Sequence, residues 1–303
     1  MTVVPPIVVI LGPTASGKSE LAMAVARKLG AQILSVDSMQ VYRGMDIGTA
    51  KPTRQERSQL PHHLIDVVDP SESFTVARFV EMADAVISEA RQRGIVVSGG
   101  TPLYYKALFE GLFEGPGSDE SVRRRLGAMS NEDLYRQLSE ADPQAAARIH
   151  PNDTKRMIRA LEVHHITGRP ISSFQTHWEA GAMRHQAVWF GLAWDREQLN
   201  RRINARVKAM IASGWVEETR SLLERYGELS PTAAEATGYR ELIAHLRGQL
   251  SLEDAIERIK IATRQLARRQ MKWFRRWKQV QWLDGTESLE AKVSHVIESA
   301  AVL

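Results

Sequence analysis

A glycine-rich loop between a buried strand and a helix constrains the fold of this chain more than any other feature. Residues 7–11 (IVVIL) form an apolar, β-branched run typical of a strand buried on both faces. The next eight residues, GPTASGKS, match G-x-x-x-x-G-K-[ST], and residues 19–29 then show the apolar spacing of a helix that stops at Gly30. Strand, loop and helix in this order predict a phosphate-binding loop.

The chemistry of this loop is that of an anion cradle. Its glycines let successive backbone N–H groups point inward, and the helix N-terminus adds positive potential. Lys18 supplies a point charge for the outer phosphates, and Ser19 is the candidate ligand of a magnesium ion. Such a cradle recognises only the anion, so it does not distinguish a nucleotide from another diphosphate. The predicted phosphate-binding residues are Gly12, Pro13, Thr14, Ala15, Ser16, Gly17, Lys18 and Ser19.

Strand and helix signals continue to alternate beyond the loop. Further strands are predicted at residues 33–36, 95–98 and 187–193, and a helix at residues 75–92. This rhythm predicts an α/β fold in which helices flank a parallel sheet. Strand signals disappear after residue 118 and helical periodicity follows. We therefore predict a core formed by residues 1–118 and 187–303, with an inserted helical domain at residues 119–186.

Polar side chains follow two of the predicted strands. Asp37 comes directly after the second strand, so in a parallel sheet its carboxylate would lie at the same edge as the phosphate-binding loop. It could act as a general base, bind magnesium as a Walker B aspartate does, or only cap the local backbone. Gln40 in the same loop carries an amide that can pair with an adenine edge, and Thr101 brings a hydroxyl to the same cleft after Gly99-Gly100.

Several residue types argue against other kinds of site. The adjacent His62 and His63 diverge in direction, and we predict a structural role for them rather than metal binding. The chain has no cysteine, which excludes disulfides, thiolate metal sites and a cysteine nucleophile and is typical of a reducing compartment. No apolar run approaches the roughly 18 residues of a membrane span, so we expect a soluble cytoplasmic protein without a membrane partner.

Positive charge is concentrated in three segments, although the net charge is only +4. Residues 264–278 contain seven lysines and arginines and no acidic residue, with Trp273, Phe274 and Trp277 among them. A helix that binds phosphates and stacks on bases would have this composition, whereas the alternative is an amphipathic helix whose aromatic face packs on the core. The excess charge predicts an RNA partner. The other two basic segments are residues 123–125 and residues 155–159.

Ten short sequence blocks along nearly the whole chain together carry a family resemblance. In the first third these blocks are GPTASGKS at Gly12, DSMQVY at Asp37, GTAKP at Gly48, PHHLID at Pro61 and GGTPLYY at Gly99. They continue as DP at Asp142, ND at Asn152, RALEV at Arg159, GYRE at Gly238 and TRQLARRQ at Thr263. In this order the blocks resemble the tRNA dimethylallyltransferase family. Two positions depart from the family pattern: Gly117-Ser118 replace a proline-containing turn, and Lys272 replaces a common threonine.

The resemblance implies an activity and a role for each matching residue. The activity is Mg²⁺-dependent transfer of a dimethylallyl group from dimethylallyl diphosphate to N6 of the adenosine 3′ to the anticodon, in tRNAs that read codons starting with U. The implied fold is a P-loop nucleotide-kinase-like core with a helical insertion that contacts the tRNA anticodon stem-loop. The implied catalytic residues are Lys18 in the diphosphate cradle, Asp37 as the base for N6 and Thr101 near the reacting centre. The residues implied to contact tRNA are Asp37, Ser38, Met39, Gln40, Thr101, Arg123, Arg159, Leu161, Glu162, Val163, Arg268, Arg269 and Arg275.

Two other classes of protein share the phosphate-binding loop. A P-loop kinase for a small metabolite or nucleotide would need a nucleoside triphosphate, and the basic aromatic segment argues against it. A nucleotide-gated RNA-binding protein would leave the loop after Asp37 without a role. Arg202 and Arg206 could also face the diphosphate, although the sequence does not rank them. We expect the protein to be a monomer.

Overall fold

The computed structural model describes residues 7–90, 92–111, 115–174 and 183–301 of the chain. Within these residues the chain forms one parallel sheet in the strand order β3-β2-β4-β1-β5-β6. The strands are β1 (Ile7–Leu11), β2 (Gln32–Ser35), β3 (His62–His63), β4 (Ile95–Gly99), β5 (Ala187–Ala193) and β6 (Gln281–Asp284). Helices cover the sheet, and this architecture confirms the predicted α/β class.

Strand β1 lies in the middle of the sheet and is buried on both faces. It pairs in parallel with β4 on one side and with β5 on the other. Val9 and Leu11 contribute to one hydrophobic core, whereas Val8 and Ile10 contribute to a second core across the sheet. Each fully buried side chain of this kind contributes about 1.5–3 kcal/mol. The continuous apolar run that identified the strand is therefore the consequence of having a core on each face.

The helices of the core unit surround this sheet, and several have clear start signals. Helix α3 begins after Thr75, whose side chain accepts a hydrogen bond from the backbone N–H of Arg78. Helices before the insertion are α1 (Lys18–Leu29), α2 (Arg54–Gln59), α3 (Val76–Glu89) and α4 (Pro102–Glu110). Helices after it are α9 (Arg196–Ala212), α10 (Trp215–Tyr226), α11 (Tyr239–Leu246), α12 (Leu252–Phe274) and α13 (Leu289–Ala300).

The chain divides into two compact units, Met1–Phe109 with His185–Leu303, and Glu110–Arg184. In its described residues the second unit contains the helices α5 (Glu120–Gly127), α6 (Asn131–Ala141), α7 (Pro143–Arg148) and α8 (Thr154–Thr167). These pack around a core of their own that includes Leu134, Leu138 and Met157. The boundaries 119 and 186 and the contact of this unit with tRNA stay predictions. No helix in the described part of the chain is long and apolar enough to cross a membrane.

Candidate active site

The glycine-rich loop joins β1 to α1 in a conformation that leaves its amides available. Gly17 has φ 93° and Ala15 has φ 65°, so two loop residues lie in the left-handed region, which is costly for alanine. Helix α1 begins at Lys18, and no side chain caps its N-terminus. Uncapped N–H groups at a helix N-terminus, together with a left-handed loop, form an anion-binding cradle.

Distant residues hold the outside of this loop in place. The Trp194 Nε1–H donates to the Ser16 carbonyl at 2.9 Å, and the Arg202 Nε–H donates to the Ala15 carbonyl at 2.9 Å. The Arg202 guanidinium also lies 4.3 Å from the centre of the Trp194 ring, within the range of a cation–π contact. Both residues come from the region of β5 and α9, so the loop conformation depends on the second half of the chain.

Gln270 links the phosphate-binding loop to the turn after β4. Its side chain is buried, its Oε1 accepts from the Thr14 N–H at 2.9 Å, and its Nε2–H donates to the Gly100 carbonyl at 2.6 Å. A Cβ at Gly100 would lie 2.7 Å from the Gln270 Nε2, so a larger residue here would displace the Gln270 amide. Sequence reasoning missed this role of Gln270, although the residue ends the block TRQLARRQ.

A cavity of about 300 Å³ opens at the carboxyl edge of the sheet, next to the phosphate-binding loop. It brings together side chains that are far apart in the sequence and that follow three different strands. The predicted residues that line it are Thr14, Lys18, Ser19, Asp37, Ser38, Met39, Gln40 and Thr101. The cavity also reaches Arg206, and the apolar side chains Ile203, Val207 and Met210 line it from α9.

Beside the phosphate-binding loop, two cations of this cavity, Lys18 and Arg206, lie near one carboxylate, Asp37. Burial and then the nearby Arg206 lower the pKa of Lys18 to about 8, against the opposing attraction of Asp37. Burial also lowers the pKa of Arg206, which Asp37 counteracts and Arg202 reinforces. Arg206 makes no hydrogen bond or ion pair with any described residue. Cations that face one another in a partly dry site are stabilised by a bound polyanion, so the electrostatics favour a diphosphate or triphosphate.

Asp37 presents one carboxylate oxygen to the local backbone and the other to the cavity. Its Oδ1 accepts from the Met39 N–H at 2.9 Å and the Gln40 N–H at 3.4 Å. The Oδ2 lies 3.5 Å from the point where a Cβ of Gly100 would stand, close to the amine of Lys18. The predicted capping function and the predicted exposure to the reacting centre are therefore combined in one side chain.

The other predicted residues of the Asp37 loop are held by hydrogen bonds within the protein. The Ser38 N–H donates to the Thr101 Oγ1 at 2.9 Å, so Thr101 orients this loop from the turn after β4. The Gln40 Oε1 accepts from the Ser35 hydroxyl at 2.9 Å, and its Nε2 donates to the carbonyls of Thr49 at 3.3 Å and Ala50 at 3.4 Å. An adenine would have to exchange with one of these partners to be read by Gln40.

No cluster of three or more His, Asp or Glu side chains that could hold a metal occurs in the described residues. Ser19 lines the cavity and offers a hydroxyl beside the phosphate cradle. Magnesium is commonly bound by one or two protein oxygens together with substrate phosphates, and Ser19 with Asp37 nearby fits that pattern. His62 and His63 form the short strand β3 instead, with ring nitrogens 2.7 Å from the Leu60 carbonyl and 2.6 Å from the Gln32 amide oxygen.

The basic residues at the end of α12 line a second groove of about 530 Å³. Arg264, Arg268, Lys272 and Arg275 surround it together with Arg196. The predicted Arg269 is exposed but does not line this groove. Among the aromatic residues of the segment, Phe274 is fully buried and Trp277 packs against the same core, whereas the Trp273 ring lies under the Arg276 guanidinium.

In the helical unit, one buried carboxylate binds two of the predicted arginines. Glu162 is fully buried, and its oxygens accept from the Arg123 Nε at 2.8 Å and the Arg159 Nη1 at 2.7 Å. Burial works to raise the pKa of Glu162, but hydrogen bonds from Arg123 and Arg159 outweigh it and lower that pKa. Leu161 and Val163 belong to the core of the unit. This structure buries the side chains of residues 161–163, and their implied contact with RNA stays a prediction.

Known proteins resemble this chain over nearly its whole length. The family model for IPP transferase matches residues 40–277. A tRNA dimethylallyltransferase of Geobacter metallireducens is 46% identical over 297 residues, which cover 96% of this chain and 96% of the relative. A tRNA dimethylallyltransferase of Pelotomaculum thermopropionicum is 46% identical over 284 residues, with coverage of 92% of this chain and 90% of the relative.

Solved structures show the same fold. The full-length tRNA isopentenylpyrophosphate transferase of Bacillus halodurans has a TM-score of 0.73 and 38% identity, with coverage of 98% of this chain and 96% of that chain. A eukaryotic dimethylallyltransferase acting on tRNA has a TM-score of 0.78 and 29% identity, with coverage of 98% of this chain and 77% of that chain. The cavity at the sheet edge thus belongs to a fold shared with enzymes of one activity.

Proposed function

Because this chain belongs to the tRNA dimethylallyltransferase family, which transfers a prenyl group to tRNA, we propose that the cavity at the sheet edge is where the transfer takes place. One observation carries this proposal: the phosphate-binding loop and the Asp37 carboxylate line the same cavity. The Asp37 Oδ2 and the Lys18 amine both lie within 4 Å of the position that a Cβ of Gly100 would take. The acceptor we propose is N6 of the adenosine 3′ to the anticodon.

The diphosphate of dimethylallyl diphosphate would bind in the loop of residues 12–19, with Lys18 and Arg206 facing its oxygens. During the reaction the bond between C1 of the donor and its phosphate oxygen breaks, and a bond between C1 and N6 forms. Negative charge develops on the leaving diphosphate, and fixed cations and loop amides stabilise it. The cavity would also hold the donor and the acceptor in line, which lowers the entropic part of the activation barrier.

Asp37 would receive the proton that N6 loses when the new bond forms. Its Oδ1 is held by two backbone N–H groups, so the Oδ2 keeps a defined direction toward the cavity. A general base must lie within hydrogen-bond reach of the proton it removes, and a fixed carboxylate at the cavity wall meets this requirement. Thr101 assists by holding the Asp37 loop through the Ser38 N–H.

Magnesium would be held by Ser19 together with oxygens of the donor diphosphate. When bound there, the ion would neutralise part of the charge of the leaving group. The protein contributes few ligands, so we expect weak affinity for the ion without a diphosphate.

The anticodon stem-loop of the tRNA would bind along basic surface in both units. On the core unit, Arg268 and Arg275 line the groove of α12, and Arg269 lies outside it. On the helical unit, Arg123 and Arg159 present their guanidinium groups while Glu162 fixes them. We further propose that the enzyme acts as a monomer in the cytoplasm. The helical unit would supply its share of the RNA contacts through Arg123 and Arg159, whose side chains are partly exposed.

A direct assay tests the proposal. The protein is incubated with Mg²⁺, unmodified tRNA and either labelled dimethylallyl diphosphate or labelled ATP, and label in the RNA is mapped by nuclease digestion. We expect isoprenoid label at the adenosine 3′ to the anticodon and none in a transcript in which that adenosine is replaced by uridine. Turnover of ATP without transfer of isoprenoid would contradict the proposal and favour a kinase.

A further inference from the structure

The block GTAKP, which begins at Gly48, lines the cavity but has no part in the chemistry described so far. Three consecutive backbone N–H groups in this region point at one carboxylate of α10. The Glu218 Oε2 accepts from Asp46 N–H at 2.9 Å and Ile47 N–H at 2.6 Å, and its Oε1 accepts from Gly48 N–H at 3.2 Å. Glu218 thus holds residues 46–48 from a helix about 170 residues away.

The block GYRE at Gly238 supplies the second half of this contact. The Tyr239 hydroxyl donates to the Glu218 Oε1 at 2.7 Å. Burial, and then the charge of Glu218, raise the pKa of Tyr239, so the hydroxyl stays protonated and remains a donor. The Glu218 carboxylate therefore accepts four hydrogen bonds, each strengthened by its charge.

Two glycines beside this contact have no room for a side chain. A Cβ at Gly48 would lie 2.2 Å from the Trp215 Nε1, and a Cβ at Gly238 would lie 2.2 Å from the Trp215 Cη2. Both glycines are therefore required by the Trp215 ring, which stands between the two blocks. The sequence pattern shows the glycines, but only the packing explains why they are needed.

The held segment in turn positions the Asp37 loop. The carbonyls of Thr49 and Ala50 accept from the Gln40 Nε2, and the Gln40 N–H donates to the Asp37 Oδ1 at 3.4 Å. A continuous set of hydrogen bonds therefore runs from Glu218 through residues 46–50 and Gln40 to Asp37. None of these hydrogen bonds involves the phosphate-binding loop.

The opposite side of the same segment is held independently of α10. The Lys51 amine is buried and donates to Asp46 Oδ1 and Asp66 Oδ1, each at 2.6 Å, and to the Tyr42 carbonyl at 2.7 Å. These partners come from residues 42–66, so Lys51 gives the segment its local shape. Glu218 then fixes the position of residues 46–48 relative to the cavity.

We propose that Glu218, oriented by Tyr239, is a positioning residue for the transfer reaction: it sets residues 46–50 and, through Gln40, the direction of the Asp37 carboxylate. This inference rests on the proposed function of Asp37 as the base. If the inference is correct, the orientation of Asp37 toward the acceptor depends on Glu218. The affinity for the donor diphosphate does not depend on Glu218.

The test compares Glu218→Gln with Glu217→Gln, a change at the neighbouring exposed residue, which forms an ion pair with Arg220 on the surface. Glutamine keeps the size of the side chain but turns an NH₂ group toward donors that need an acceptor. We expect Glu218→Gln to lower kcat about tenfold, since misplacement of a reacting group is costly, with the Kd for inorganic pyrophosphate changed less than twofold. Tyr239→Phe should lower kcat by a smaller factor, and Glu217→Gln should match the unmodified protein.

Amide hydrogen exchange supplies a second readout that needs no substrate. The amides of residues 46–48 should exchange faster in Glu218→Gln and unchanged in Glu217→Gln. Faster exchange with an unchanged kcat, or a kcat loss accompanied by an equal loss of pyrophosphate affinity, would overturn the positioning role. If Glu218→Gln fails to fold, the same criteria apply to Tyr239→Phe. A failure of the unmodified protein to transfer isoprenoid would instead refute the proposed function, and the inference with it.

Discussion

The cavity at the sheet edge and the helical unit of residues 110–184 both contain arginines, but these arginines differ in whether a carboxylate pairs with them. In the helical unit the buried Glu162 accepts hydrogen bonds from both Arg123 and Arg159. In the cavity Arg206 makes no hydrogen bond or ion pair with a described residue, and the charge of Asp37 only partly offsets the lowering of the Arg206 pKa by burial. In one region two arginines form ion pairs with a shared buried carboxylate, whereas in the other Arg206 forms no ion pair with a described residue.

This difference separates basic residues that stabilise the fold from basic residues that are available to a ligand. Compensated arginines stabilise the fold of their own unit, and they can bind RNA only with the part of the guanidinium that remains exposed; for Arg123 this exposure is 46% of the side chain. Uncompensated cations around a cavity create a site whose charge is completed by a ligand. The following predictions test this contrast, beginning with the largest expected effect.

Asp37→Asn should have the largest effect. The amide keeps an oxygen for the Met39 N–H, so the loop retains its shape, but it cannot accept the proton from N6. Loss of a general base lowers the rate by about 10²- to 10⁴-fold. Single-turnover transfer should show this loss, while tRNA affinity measured by filter binding stays within about twofold of the original value. A near-normal rate would remove Asp37 from the mechanism.

Glu162→Gln should instead affect stability. It leaves Arg123 and Arg159 without their buried counter-charge, and because both arginines can still reach solvent we expect a loss of about 2 kcal/mol, below the usual range for a buried pair. Urea denaturation would measure it, with the exposed Glu140→Gln as a control that changes stability by less than about 0.5 kcal/mol. A strong loss of turnover in the folded variant, without a loss of stability, would contradict the structural reading of this cluster.

Affinity for a diphosphate should depend on pH through Lys18. Because its pKa is lowered to about 8, the free protein loses this charge as the pH rises through 8. A bound diphosphate favours the charged amine, so affinity is full below pH 8 and falls by up to about tenfold per pH unit above it. Calorimetric titration with pyrophosphate between pH 7 and 9.5 would show this decline. A flat profile in that range would mean that Lys18 does not face the phosphates.

Single arginines of α12 should have the smallest effects. Arg268→Gln and Arg275→Gln, whose side chains line the groove, should each weaken tRNA binding a few-fold and reduce its salt slope by about 1. Arg269→Gln is the matched comparison, because this residue is exposed but lies outside the groove. If Arg269→Gln has the same effect, the RNA follows the whole helix surface and not the groove. Unchanged salt slopes in all three variants would exclude RNA binding by this segment.

Much of the fold was accessible from the sequence because its signals are local. The apolar run of β1, the loop that follows it and Asp37 after β2 each depend on residues that are close in the chain. The strand β6 was missed because three of its four residues are exposed, which leaves no apolar run. The two-residue strand β3 was missed because it is too short to show a period. Both lie at the edges of the sheet, where burial is incomplete.

The candidate site was predictable only in part, for a related reason. Lys18 and Asp37 could be placed at one sheet edge, since the carboxyl ends of parallel strands meet there. The functions of Gln270 and Glu218 could not be predicted, because the amides they accept from lie 256 and about 170 residues away. Contacts between residues so far apart in the sequence depend on how the helices and strands pack. Spacing of residues along the chain does not predict them.

By itself, the sequence determined that this chain has a phosphate cradle on a parallel sheet, because glycine positions, strand period and a strand-end carboxylate act through neighbouring residues. Only the tertiary structure decided which charges remain uncompensated. It paired Arg123 and Arg159 with Glu162 inside one unit, and it left Arg206 beside the cavity with Asp37. The physical reason is that the energy of a charge depends on burial and on the partners within a few ångströms, and folding sets both.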